Sequence, residues 1–341
     1  MGAAALMTFP AGNLGEIIVP QERIKNVEIN PGRLCNNKCI FCMSGEDRDD
    51  HNPWASIKRV FGELDHHYKN GARSVGFLGG EPTAYPHIIE AIAHAKKLGY
   101  QRISLCTNAM RLSQSEFFRD ALDAGLTRAT VSLHSHISEV EERLVGVPRI
   151  LEMKLKAIEN LVAARDSGRL PDNVSLNPVL NRLNAPLMEG YIQFFILRGI
   201  NDIRFNFIWP QSRVLKDTSV VPRFRDVIAD VLKVILRNER QWKISITFGA
   251  IPFCVVPDFF QKRKDLLFKY FSEEANDHPT DVGFINPDEE GTVNRFTLKA
   301  RTRYDHRMKL PVCRNCRFDS ECLGIWRSYI DLYGSEEFSA A

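Results

Sequence analysis

Three thiols crowd into eight residues at Cys35-Asn-Asn-Lys-Cys39-Ile-Phe-Cys42, and a second trio stands far downstream at Cys313, Cys316 and Cys322. Cysteines gather in this way to bind metal, because several thiolates must reach one centre within bonding distance. Zinc prefers paired CxxC ligands, and no partner pair lies close to Cys42 in the sequence. Three thiolates spaced by three and two residues can instead wrap one face of an iron–sulfur cube, leaving one iron with an open position. An open position is what a metal uses for catalysis and not for structure. Cys106, inside the apolar run RISLC, stands apart from both clusters and reads as structural.

Such a loop needs a scaffold, and the chain between the clusters supplies one. An incipient strand at Asn26–Ile29 precedes the first cysteines. Helical spacing of Ile57, Val60, Phe61 and Leu64 follows a start at Asn52-Pro53 and stops at Asn70-Gly71. The pattern then alternates: strand Ser74–Leu78, helix Pro86–Leu98, strand Arg102–Cys106, helix Ser115–Ala124, strand Thr127–Leu133 and helix Arg149–Ser167. Strand Val174–Leu180, helix Pro186–Arg198, strand Asp202–Ile208, helix Pro222–Arg237 and the β-type run Lys243–Phe248 complete it. Regular alternation predicts a parallel sheet with right-handed crossovers. The expected fold is α/β, a partial (β/α)6 barrel of TIM type with a C-terminal cysteine-rich cap domain. The boundaries read as an N-terminal extension over 1–25, the barrel over 26–250 and the cap over 251–341, where no clear βα unit is visible.

Composition excludes several classes. Of 341 residues, 44% are apolar and 26% charged, which rules out wholesale disorder. A net charge of +3 provides no basic field for nucleic acid. No apolar stretch approaches the length of a membrane span, and the start lacks the basic region of an export signal. The reading is a cytoplasmic protein, in which eight cysteines are not a disulfide framework.

The motif CxxxCxxC, with aromatic Phe41 before its last cysteine, resembles that of the radical S-adenosylmethionine (radical SAM) superfamily. Gly79-Gly80-Glu81-Pro82 at the end of the second strand matches the superfamily's GGEP segment, and Thr107-Asn108 matches its TN at the end of the third. The resemblance covers roughly residues 25–250. It implies a [4Fe–4S] cluster on Cys35, Cys39 and Cys42 whose open iron chelates the amino and carboxylate groups of S-adenosylmethionine (SAM). Reduction would cleave SAM to methionine and a 5′-deoxyadenosyl radical that removes hydrogen from a substrate. Glycines at 79 and 80 would let backbone approach the ligand closely, and Glu81 with strand-end carbonyls would accept from its amine. Ser132 and Arg143 are assigned to the SAM carboxylate or ribose, against an exposed helix-end salt bridge for Arg143. Asn177 and Asn206, polar residues in apolar strands, are candidates for ribose and adenine, against ordinary core hydrogen bonding. His134, in VSLHSHIS at the end of strand four, is the candidate for proton exchange with substrate, against a plain hydrogen-bonding role.

The spacing CxxC-x5-C at Cys313, Cys316 and Cys322 resembles the centre of the SPASM extension and its shorter twitch relative. A full SPASM extension would carry a further cysteine where Trp326 stands. Adding Cys254 makes four ligands, enough for one auxiliary [4Fe–4S] cluster, with structural zinc as the alternative. The resemblance thus implies hydrogen abstraction from a small metabolite, nucleoside, sugar or peptide, with a reductant such as flavodoxin or ferredoxin. A molybdenum-cofactor-cyclase-like enzyme is one alternative. Against it stand a chain ending EEFSAA in place of Gly-Gly and tighter cysteine spacing at the second site. A non-enzymatic iron–sulfur carrier is the alternative of another class.

Overall fold

The computed structural model describes residues 24–43, 54–271, 280–285, 293–297 and 305–341. Most of the expected N-terminal extension, and Asn52-Pro53, lie outside the described residues.

Strands β1 (Asn26–Asn30), β2 (Ser74–Phe77), β3 (Arg102–Thr107) and β4 (Arg128–Val131) pair in parallel in chain order. They are joined by helices α1 (Ile57–Lys69), α2 (Ile88–Leu98) and α3 (Ser115–Ala124). The strand expected over Val174–Leu180 is broken into β5 (Val174–Leu176) and β6 (Val179–Leu180), because Pro178 between them cannot donate to a ladder. Both pieces pair with β7 (Asp202–Phe207), which in turn pairs with β8 (Ser245–Gly249). Between β4 and β5 run α4 (Ser138–Val145) and α5 (Ile150–Asp166); α6 (Met188–Ile196) and α7 (Phe224–Arg237) complete the outer layer. The sheet is parallel over this span and does not close, as expected of a partial barrel. Helix α4 was not legible in the sequence, since eight residues carry too short a stripe to show a period.

The boundary near residue 250 does not divide the sheet. Strand β9 (Thr280–Ile285) returns to pair in parallel with β1, and β10 (Val293–Thr297) folds back antiparallel on it. Arg295 reaches from β10 to the buried Glu63 of α1 with two bonds of 2.6 and 3.0 Å. Two short helices, α8 (Asp258–Gln261) and α9 (Lys264–Phe271), precede that hairpin. The C-terminal part also holds a two-stranded ladder of β11 (Arg307–Met308) and β12 (Ile325–Trp326), followed by α10 (Arg327–Tyr333). Trp326 stacks on Trp209 at 4.4 Å, and Tyr329 and Tyr333 pack against α7 and the loop before it. Those aromatics therefore cement the cap to the barrel.

Which side of each strand is apolar decides what the barrel encloses. In β7, Ile203, Phe205 and Phe207 are buried beneath helices, while Arg204 and Asn206 are exposed on the opposite face. The same alternation in β1, β3, β4 and β8 turns polar or small residues inward. A closed TIM barrel packs its interior with branched apolar side chains; this open one leaves a polar lumen.

Candidate functional site

The first cysteine segment leaves β1 and is held on two sides. On one, Gly80 N–H donates to Gly32 O at 3.0 Å and Glu81 N–H to Leu34 O at 2.7 Å. On the other, Lys38 and Ile40 donate to Val145 O and Leu144 O at 2.8 and 3.0 Å. The last carbonyls of α4 have no partner within their own helix, so the loop supplies it. Asn108 ties in a third point, its Nδ2 donating to Asn36 Oδ1 at 2.6 Å. Cys35, Cys39 and Cys42 are thereby held in one short loop, none of them in a disulfide and all three partly exposed. Burial pushes the Cys39 thiol up to about 12; the Lys154 ammonium opposes this, and Cys35 and Cys42 add to it. A single zinc would draw its thiolates to within about 3.8 Å of one another, given bonds of about 2.3 Å. No described group of His, Cys, Asp or Glu is gathered around one point in that way. Cys35 and Cys42 act electrostatically on Cys39, and such a trio fits a cube, where each thiolate ligates its own iron.

Gly79 and Gly80 lie tightly against this loop. A Cβ on Gly80 would stand 2.0 Å from Leu34 O, and one on Gly79, at φ +125°, would stand 2.1 Å from Asn30 Oδ1. The expected role of the Glu81 carboxylate also changes. It is 2% exposed and accepts four hydrogen bonds: from Thr83 N and Oγ1 (3.0 and 2.6 Å), Thr107 Oγ1 (2.5 Å) and Asn108 N (2.7 Å). Burial pushes its pKa up and these donors oppose that. Thr107 in turn accepts from Ala109 N–H at 2.9 Å, and Pro82 is buried as the first residue of a helical turn. The side chains of Glu81, Thr107 and Asn108 thus clamp the ends of β2 and β3 to the cysteine loop.

At the end of β4, Ser132 is partly exposed and its carbonyl accepts from Lys154 Nζ at 2.7 Å. Lys154 also pairs with Glu141 at 2.6 Å, both side chains at 0% exposure. The other Glu141 oxygen accepts from His134 N and Ser135 N, at 2.8 Å each. Sequence reasoning missed this pair, although a lysine inside the apolar stripe Ile150, Leu151, Ala157, Ile158 was a visible signal. His134 is 3% exposed, packs edge-on against Phe41 at 4.7 Å, and its Nδ1 accepts from Val179 N–H at 3.1 Å. Burial pushes it down to about 4, the nearby Glu141 opposing this and Lys154 adding to it. A buried imidazole held neutral and already bonded does not suit proton exchange; the hydrogen-bonding role is the one this geometry fits. Arg143 is exposed at the end of α4 and within electrostatic reach of Asp217. Asn206 and Asn177 do meet, with Nδ2 donating to Oδ1 at 2.6 Å on the lumen wall.

The second constellation also assembles. Cys254 follows β8 on a helical turn, Phe253–Val255, and Cys313 lies on another, Pro311–Asn315. Cys254, Cys313, Cys316 and Cys322 line one cavity, whose wall includes Phe253, Phe318, Ile325 and Ser339. Burial pushes the Cys254 thiol up to about 12, and the other three thiols add to it. Lys309 and Asp319, paired at 2.7 Å, complete the wall. An all-thiol donor set on an apolar wall fits a soft-metal cluster. The sequence carries a basic run over Lys299–Lys309 and a histidine at His278 that could hold an anionic substrate or form a solvated face; His278 and residues 299–304 lie outside the described residues.

Residues 29–180 match the radical SAM superfamily. A Saccharolobus islandicus protein named probable GTP 3′,8-cyclase is 30% identical over 188 residues, covering 55% of this chain and 58% of that protein. A Sulfurisphaera tokodaii protein of the same name is 29% identical over 188 residues, covering 55% and 57%. The chain therefore spans little more than half the length of these curated relatives. Streptococcus suis SuiB bound to S-adenosylmethionine superposes with a TM-score of 0.60 at 18% identity, over 94% of this chain and 77% of that one. The structure of anSMEcpe with bound AdoMet and a Cp18Cys peptide gives 0.54 at 14% identity, over 93% of both chains. At these identities the likeness is one of fold. The domain match runs from β1 through β6, the elements that build the cysteine mouth.

Proposed function

We propose that this chain is a radical SAM enzyme with an auxiliary cluster, acting by hydrogen abstraction on a small-molecule or peptide substrate. The observation that carries this reading is the three-thiol loop pinned between the glycine turn of β2 and the end of α4, at the carboxyl ends of the strands where barrel sites form. When bound there, a [4Fe–4S] cluster supplies the electron that cleaves SAM to methionine and a 5′-deoxyadenosyl radical. Cys35, Cys39 and Cys42 would hold it. Backbone groups of residues 79–82, with Ser132, would orient the amino-acid end of SAM, while Asn177 and Asn206 would serve its nucleoside end. Cys254, Cys313, Cys316 and Cys322 would hold the second cluster, as a relay or as a substrate ligand. Eight cysteines outside any disulfide and the need for a low-potential donor support a reducing, cytoplasmic setting, with a flavodoxin or ferredoxin as the proposed partner. Among the described residues no helix is long and apolar enough to cross a membrane.

Anaerobic reconstitution tests both sites together. The wild type should carry about eight irons, roughly four per cube, and the triple Cys35→Ala, Cys39→Ala, Cys42→Ala variant about four. Dithionite and SAM should yield methionine and 5′-deoxyadenosine with the wild type alone. Zinc at the C-terminal thiols would reject the auxiliary cluster, and an absence of 5′-deoxyadenosine from the loaded wild type would reject the enzyme assignment in favour of an iron–sulfur carrier. A second reading, a cyclase acting on GTP, has the named relatives behind it; consumption of GTP in the same assay would establish it.

A further inference from the structure

Among the described residues, the polar lumen contains a cation, Arg204, that the sheet does not fully use. Arg204 lies on β7 with its side chain 49% exposed, on the face opposite Phe205 and Phe207, which pack outward beneath α6 and α7. Its bonds to Asp202 are long, 3.3 and 3.4 Å. The close bonds of Asp202 go elsewhere: 2.7 Å to Arg128 and 2.6 Å to Ser175. A guanidinium offers five N–H donors in a planar fork, so most of its donor capacity is directed into the lumen. An exposed arginine on an inward face is also unusual chemically, because a barrel interior is ordinarily apolar and closed.

The position has a direction. Asn206, two residues nearer the mouth on the same face, is bonded to Asn177. Above both stand the strand ends that carry the cysteine loop. Across the lumen, Glu28 on β1 lies near enough to act on Cys106 of β3, as Arg204 does from the other side. Along a flat sheet β7 would stand three strands, about 14 Å, from β3, so this proximity reflects the curl that makes a lumen.

We propose that Arg204 anchors the substrate by an anionic group, and that the substrate is a small molecule whose carboxylate or phosphate enters the barrel while its reacting part stays at the mouth. This rests on the radical SAM reading of the mouth, and it adds the substrate's chemical class.

The test uses reconstituted wild type, Arg204→Gln and Arg204→Lys, each titrated by calorimetry with inorganic phosphate and with acetate. Equal iron content and equal melting temperature without anion establish that the variants fold. Binding to wild type that is weakened about tenfold or more in Arg204→Gln, and partly restored in Arg204→Lys, supports the anchor, since losing one charge-assisted contact is worth about that factor. Preference for phosphate over acetate identifies a phosphorylated substrate, and the reverse a carboxylic acid. Equal binding by wild type and Arg204→Gln, or none by wild type, overturns the assignment. Formation of 5′-deoxyadenosine by wild type is scored separately: its failure overturns the radical SAM reading, whereas an unaltered anion response overturns Arg204 alone.

Discussion

At the residue scale, the conspicuous motif side chains hold the structure together more than they reach for ligand. Glu81 spends its whole carboxylate on Thr83, Thr107 and Asn108, and Asn108 spends its amide on Asn36. His134 behaves in the same way, wedged between Phe41 and the Val179 amide. Its titration has a measurable sign. The folded value, about 4, lies below the unfolded value of about 6.5, so on acidification the unfolded chain takes up the proton first. The stability linked to His134 is complete above about pH 6.5 and is lost as pH falls toward 4. Between pH 6.5 and 5 this amounts to about 2 kcal/mol, at about 1.4 kcal/mol per unit. Urea unfolding of His134→Gln should show a correspondingly shallower loss over that interval. An identical slope in variant and wild type would remove His134 as its source.

At the element scale, the cysteine loop is a suspended segment and its two supports are unequal in tolerance. The end of α4 offers carbonyls to Lys38 and Ile40, which any residue's amide could use. The turn after β2 instead requires backbone to lie against backbone, and only glycine permits it. Alanine at position 80 would place its methyl 2.0 Å from a main-chain oxygen that cannot rotate away. Gly80→Ala is therefore expected to displace the loop, lowering the iron of the reconstituted protein from about eight to about four while the C-terminal site stays loaded. Iron and sulfide analysis checks this. A variant with full iron and an unshifted melt would mean that the turn yields without disturbing the thiols.

At the scale of the whole molecule, the cap and barrel are one packed unit. β9 extends the barrel sheet past β1, and α10 docks on α7. Tyr329, fully buried, accepts from the Phe224 amide at 3.0 Å and donates to Glu337. The first amides of a helix have no partner of their own, so this hydroxyl satisfies one at the start of α7. Tyr329→Phe leaves that amide buried and unpaired, at a cost of about 1–3 kcal/mol. The loss should appear in urea unfolding as a lower midpoint with an unchanged slope, since the folded surface is the same. A two-step transition would show instead that the cap unfolds by itself.

The sequence by itself determined the class of metal chemistry, the βα alternation and the polarity of the inward-facing strand positions, because each is written in local spacing. Three thiols within eight residues must be neighbours whatever the fold, and a strand reading Asp-Ile-Arg-Phe-Asn-Phe must turn its arginine and asparagine to one face. Only the tertiary structure decided what each motif residue touches. Cys254 joins thiols about sixty residues away because the chain between them folds back, and α4 meets the cysteine loop because β4 ends beside β3. Glu81 faced inward to Thr107 and Asn108 for the same reason: hydrogen-bond partners are set by distances between strands, and a sequence records only distances along the chain.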